Sequence, residues 1–309
     1  MGKILKKTSI AAVLALLSVN LWAVTGTGGG AAAFLRMGAG ARAASLSGAF
    51  AAYYDDASSA YWNPAATAAL NRLSIGSMVS VLTADRRFNF ITAVVPAGEI
   101  GVFSFSIINF SIDNIEGRSG DTAEYYLFSD TENAYMVSYA REIVKGVSAG
   151  AALKLINIGF DRYSATGLSS DIAAHFVFTD YLSAGVVIRD FFGSLTWLTG
   201  SNEKIPSVMS VGILAGFLDN SLKVSIDGEQ VEAEDMSLRA GAEAEFFKTV
   251  SLRAGNSYGL ASRAYNYTFG AGIKYAIAGV LLRLDYAFIT ERFFESTELN
   301  HKFSLSAYF

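Results

Sequence analysis

Two histidines, His175 and His301, are the side chains of this 309-residue chain that would exchange protons near neutral pH without a shifted pKa. Neither has a serine or carboxylate at a spacing that specifies a catalytic triad, although triads assemble in space rather than along the chain. Asp55–Asp56 offers an acid pair or the beginning of a calcium site. Its surroundings fit no calcium-binding loop, and the plainer reading is that these aspartates end one helical stretch and open a turn. The residue chemistry points away from an enzyme, and no metal or cofactor is expected. What the sequence does collect is charge of both signs at alternate positions: Lys154, Asp171, His175, Arg189, Lys223, Asp227, Arg239, Glu243, Arg253, Lys274, Arg283 and Asp285. Such groups on one side of an apolar ribbon pair with one another or face water. Arg239, Glu243, Arg253, Lys274, Arg283 and Asp285 are therefore read as a paired network inside a lumen, with ligand passage as the alternative role. A net charge of −4 supplies no basic surface for nucleic acid.

The elements that must carry these residues follow from the chain's start and its hydropathy. Lys3, Lys6 and Lys7 precede an apolar run of about a dozen residues, the layout of a secretory signal peptide over residues 1–26, cleaved at about 23–26. A membrane anchor is the alternative, but the run falls short of the roughly 20 residues a spanning helix needs. No cysteine follows it to take a lipid. With 52% hydrophobic residues and a mean hydropathy of +0.34, the rest is greasy for an exported chain, yet no later segment reads as a spanning helix. The remaining membrane solution is a closed antiparallel β-barrel, because only closure satisfies every backbone group in lipid.

From Leu73 to Phe309, fourteen segments of about ten residues carry apolar side chains at alternate positions, an even number as bacterial single-chain barrels have. In YNYTFGAGIKYA, Tyr265, Tyr267, Phe269, Ala271, Ile273 and Tyr275 share one face, with aromatic rings toward both ends as interfacial girdles require. A soluble β-sandwich would show the same alternation with the apolar face buried. Two features favour the barrel. Short turns such as PAGE (96–99) and FLDN (217–220) alternate with longer polar connections near 111–130, 158–167, 191–206, 228–235, 257–264 and 291–300. The tail HKFSLSAYF places Phe303, Leu305 and Phe309 on one face and ends on phenylalanine, the form of the signal read by the barrel-assembly machinery. A barrel of this strand number is wide enough to have a wet interior unless something fills it.

The residues between the leader and Leu73 are small, weakly charged and without strand alternation. Phe34, Leu35, Phe50, Tyr53, Tyr54, Tyr61 and Trp62 would have nothing to pack against in a free tail. Asn63 suits a helix N-cap, and Pro64 the next position, where its missing N–H is not needed. The stretch GARAASLSGAFAAYYDDASSAYWNPAA resembles the N-terminal signature of the PorV/PorQ family and, more distantly, of the FadL long-chain fatty-acid transporters. Asn63, Pro64 and Ala65 match the family's Asn-Pro-Ala motif. The resemblance implies a fourteen-stranded outer-membrane barrel over 73–309, with residues 27–72 folded back as a hatch or plug in the lumen.

Two functions follow from it. A FadL-like protein of the outer membrane would pass or bind a hydrophobic small molecule, with Tyr125, Tyr126 and Phe128 as an external capture patch. A PorV-like one would serve type IX secretion and bind exported cargo proteins or an attachment complex. Side release in FadL-type proteins depends on a distorted third strand, and IGVFSFSIINF has no interior Gly or Pro to mark a kink.

Overall fold

The computed structural model describes residues 30–83, 85–118, 120, 124–293 and 296–309, the side chains of 291–298 excepted. The signal-peptide reading of residues 1–26 lies outside them. The strands are β1 (Ser74–Val81), β2 (Arg86–Pro96), β3 (Val102–Gly117), β4 (Tyr126–Val144), β5 (Val147–Phe160), β6 (Tyr163–Thr179), β7 (Leu182–Trp197), β8 (Asn202–Lys204), β9 (Val208–Phe217), β10 (Leu222–Val231), β11 (Met236–Phe246), β12 (Val250–Gly259), β13 (Tyr265–Ile277), β14 (Val280–Phe293) and β15 (Ser296–Tyr308). Strands next to each other in the chain pair antiparallel, and β1 pairs with β15 from Ser74↔Tyr308 to Val81↔His301. Short β8 only prolongs the hairpin of β7 (Ser194↔Lys204), so the closed ring has fourteen members, as the alternation predicts. Closure leaves no open edge to solvate.

The alternation is inverted relative to a soluble core. In β1, Ser74, Gly76, Met78 and Ser80 are buried while Ile75, Val79 and Val81 stand exposed. In β13, Tyr265, Tyr267, Phe269, Ile273 and Tyr275 all face outward. A sandwich would bury these side chains; a barrel in lipid presents them. No helix among the described residues is long and apolar enough to cross a membrane.

The long polar connections expected at the mouth, the end away from Phe309, are instead mostly strand. β3 and β4 run on to Gly117 and Tyr126, and β5 and β6 turn tightly between Phe160 and Tyr163. There polar side chains are mixed into both faces, so the hydrophobic period disappears while the hydrogen-bond ladder continues. β3 is in unbroken register with β2 from Val102 to Ile112, and its bulge comes only beyond, between Ile112 and Ile115. The irregular wall strand is β7. Its ladder with β9 stops at Arg189↔Val208, its register with β6 slips on either side of Ser170, and Asp190 and Phe192 take left-handed φ values of 57° and 59°. A bulge of this kind re-aims a side chain. Here it brings the Asp190 carboxylate to Lys154 Nζ at 2.8 Å.

The lumen is occupied. Residues from Ala31 to Leu70 form short helical turns, Ala33–Arg36, Ala41–Ala44, Ser59–Trp62 and Pro64–Ala69, joined by irregular chain. Phe50, Tyr53, Tyr61 and Leu35 are among the most deeply buried side chains of the protein and pack in one cluster with the inward-facing Phe88, Phe90, Ile108, Ile156 and Leu195 of the wall.

Candidate functional site

The interior segment must bring its backbone against a barrel wall, and small residues on both sides allow it. Gly185 of β7 carries no Cβ, which would fall on the Ala51 carbonyl oxygen; at Gly150 of β5 a Cβ would stand 2.5 Å from Ala65 N. Asn63 works at this contact. Its Oδ1 accepts from Ala65 N at 3.1 Å, the cap read from the sequence, and its Nδ2 donates to Ala51 O at 2.7 Å and to the β6 carbonyl of Ala174 at 3.3 Å. Pro64 opens the turn with no N–H to satisfy, and Ala65 is fully buried. His175 Nε2 and Ser183 Oγ both lie 3.0 Å from Ala52 O. From the last strand, Lys302 Nζ donates to Met37 O and Gly38 O, at 2.7 and 2.9 Å.

On the other side of the lumen a closed ring of alternating charges joins segment to wall. Arg42 meets Glu243 at 2.7 Å and Asp56 at 3.4 Å; Arg253 reaches Glu243 at 2.5 Å and Asp285 at 2.8 Å; Arg283 holds Asp285 at 2.9 Å and returns to Asp56. The six side chains are buried, with three positive and three negative charges in strict alternation. Asp55 extends the ring to Lys223, taking Arg42 at 2.8 Å and Lys223 at 2.7 Å. Burial pushes the Asp56 carboxyl up, but the Arg283 and Arg42 charges and the Ser58 hydrogen bonds outweigh it and hold the group below its ordinary value. Charges taken this far from water persist only when paired with opposite charges.

Of the six charges grouped from the sequence, Glu243, Arg253, Arg283 and Asp285 enter this ring. Arg239 does not: it pairs with Glu229, which also takes Arg189 at 2.8 Å. Lys274 pairs with Glu245. Lys154 lies between Asp171 and Asp190, 2.8 Å from each. The sequence reading missed Arg42, Glu229 and Asp190, and it favoured Asp55 and Asp56 as turn formers over an acid pair or a calcium site, not as part of the charge network. Asp56 does start the turn, its Oδ1 accepting from Ser58 N and Oγ at 2.8 Å, but its other oxygen belongs to the ring. The available signal was Arg42 itself, a full charge in a stretch of alanine and glycine that the lumen had to answer.

The external patch is also differently built. Tyr126 and Phe128 belong to β4 rather than to a loop; Phe128 packs edge-on against Phe160 with centroids 5.0 Å apart, and Tyr126 OH reaches Asp161 at 3.2 Å. Tyr125 is exposed just before the strand. At the base, Phe303, Leu305 and Phe309 stand on the outer face, and Phe309 N donates to Leu73 O at 2.9 Å. Two cavities lie along the segment. One, beside the ring under Phe90 and Thr92, measures about 10 Å³, and one between Tyr54, Tyr181 and Lys223 about 40 Å³. Each has room for a water or two, not for an aromatic ring.

Residues 21–181, more than half of the chain, match the model of UPF0164, described as an uncharacterised protein family. The chain belongs to UPF0164. No curated protein matches its sequence. Among solved structures this UPF0164 chain is similar to the CymD monoaromatic hydrocarbon channel, at 14% identity over 88% of this chain and 97% of that one, with a TM-score of 0.61. It is also similar to the toluene transporter TbuX of Ralstonia pickettii (13%, 88% and 98%, 0.59) and to a FadL homologue of Pseudomonas aeruginosa (12%, 93% and 99%, 0.55). At these identities the likeness is one of fold, and the UPF0164 chain has the FadL-type barrel. The PorV/PorQ resemblance rests on the N-terminal motif alone.

Proposed function

We propose that this UPF0164 chain is an outer-membrane transport barrel that passes a hydrophobic small molecule, and that residues 27–72 are its plug. The observation that carries this reading is the filled lumen. A wide barrel is closed by a segment that packs through apolar side chains toward the mouth and is tethered through buried ion pairs lower down, so passage requires the segment to shift. The charged wall groups position the plug, and Tyr126 and Phe128 line the mouth where an apolar solute would first meet the barrel. Solved proteins of this shape include channels for monoaromatic hydrocarbons, which supports the substrate class. The cargo-binding alternative has no comparable support and is not carried forward. Uptake of radiolabelled toluene into cells that make the protein should exceed uptake into cells lacking it by several-fold, with a polar solute of similar mass as control. Equal toluene uptake in both would overturn the transport reading. Removing residues 31–70 should convert silent planar-bilayer recordings into steady conductance, and an unchanged silence would count against the plug.

A further inference from the structure

The interior segment runs the full height of the barrel. At its leading end Gly30 packs on Pro206, so closely that a Cβ would stand 2.5 Å from Pro206 Cγ, and Arg36 pairs with Glu234 at 3.1 Å. Pro206 precedes the mouth end of β9, and Glu234 belongs to the turn from β10 to β11, also at the mouth. The trailing end reaches the base, where Phe309 N donates to Leu73 O. Ala33 is exposed at the mouth and Ala69 at the base.

Its two ends are held by different forces. From Ala41 onward the segment is bolted to the wall: Ala41 N donates to Ser304 Oγ at 2.7 Å, and Arg42 sits in the buried ring of charges. Ahead of Gly38, among the described residues, the ion pair to the wall is Arg36–Glu234, with side chains 17% and 32% exposed. A pair so open to water contributes little. What else keeps this stretch down is the Tyr61 hydroxyl on Leu35 O, at 2.6 Å, and the burial of Phe34 and Leu35 in one apolar cluster with Phe88, Ile158, Leu195 and Ile205. Between the two ends stand Gly38 and Gly40, with φ values of 78° and 86°. Glycine alone is at ease there, and such residues absorb the rotation of a hinge. Lys302 grips Met37 O and Gly38 O, which ties the hinge to the last strand.

We infer that residues 30–37 are a strap across the mouth, latched by Arg36–Glu234 and hinged at Gly38 and Gly40, which lifts outward while the buried ring stays shut. Lifting withdraws Phe34 and Leu35 from apolar neighbours, a loss that water does not make good and an apolar solute in the vacated place does. Such a solute binds the lifted state better than the closed one, and that difference is what shifts the balance between them. The inference deepens the transport reading above and rests on it: the space under the strap is where the hydrophobic molecule is first enclosed.

The chain has no cysteine, so a single introduced thiol reports on its own position. On intact cells a membrane-impermeant maleimide should modify Ala33→Cys fast, buried Leu35→Cys slowly, and Ala43→Cys, buried beyond the hinge, not at all. Ala69→Cys should react only after the outer membrane is permeabilised. Adding Glu234→Gln should raise the rate at position 35 about two- to five-fold, the worth of a half-exposed ion pair, and leave position 43 unmodified. A rate at 35 that ignores Glu234→Gln, equal modification at 35 and 43, or modification of intact cells at 69 but not at 33 would each overturn the inference. The comparison of 35 with 43 on the purified barrel in detergent reads the strap alone, and heat-modifiable migration shows that each variant is folded. Toluene uptake reads transport separately, so a failure of that reading is told apart from a failure of the strap.

Discussion

Arg42 carries two buried carboxylates and a half-exposed third, so its loss is not a local matter. Replacing it by methionine leaves Glu243 and Asp56 short of a partner at a buried site, and breaking a buried pair from one side costs about 3–5 kcal/mol. Arg42→Met should therefore loosen the interior segment while the barrel persists, seen as new protease cleavage between 30 and 70 without loss of heat-modifiable migration. Acid should act at the same place. Asp56 titrates below its ordinary value of 3.8 in the folded state, so its contribution is complete above that pH and is lost as the pH falls through the lower, folded value. Protease protection of the segment should hold from pH 8 to 5 and fade below about 3.8; fading at pH 6 would show that another group governs it. Asn63 was legible in the sequence because its cap is a local event, closed two residues away at Ala65. Arg42 and Glu243 were not, because 201 positions separate them and only the closed ring of strands brings them together.

At the scale of elements, the strands were readable where one face met lipid and unreadable where both met water. β13 and β15 announced themselves through aromatic alternation, whereas the mouth ends of β3, β4 and β7 mix polar and apolar side chains without a period of two and looked like loop. The bulge in β7 left no trace beyond Gly193, since left-handed backbone at Asp190 and Phe192 is imposed by packing rather than by residue type. The wall's contact with the segment depends on hydrogen atoms at positions where any carbon would collide. Gly185→Val should leave the β6–β7–β9 ladders intact and prevent Ala51 from docking, raising single-channel conductance without lowering the amount of folded barrel. A silent Gly185→Val channel would mean that the segment is held by the ring alone.

For the molecule as a whole, exposed apolar rows surround an interior that holds many buried charges, the reverse of a water-soluble protein. The purified chain should need detergent to stay dispersed and should migrate faster on gels unboiled than boiled. Identical migration would overturn the membrane-barrel reading. Strand number and closure were accessible from the sequence because period-two hydropathy and an even count are consequences of closure. What fills the lumen was accessible as a surplus of buried-type aromatics without a strand pattern and as the Asn63–Pro64–Ala65 motif, but not its partners on the wall.

The docking surface of the interior segment is drawn from the entire length of the chain. Gly150, Gly241, Gly255 and Gly270 receive it on successive parts of the wall, while Ser304 accepts from Ala41 N and Lys302 donates to Met37 and Gly38 in the very last strand. The segment's full set of partners therefore exists only when strands from both sides of the β1–β15 seam stand together. Opening that seam would take Lys302 and Ser304 away from Met37, Gly38 and Ala41, so the seat of the occupant and the closure of its container are coupled.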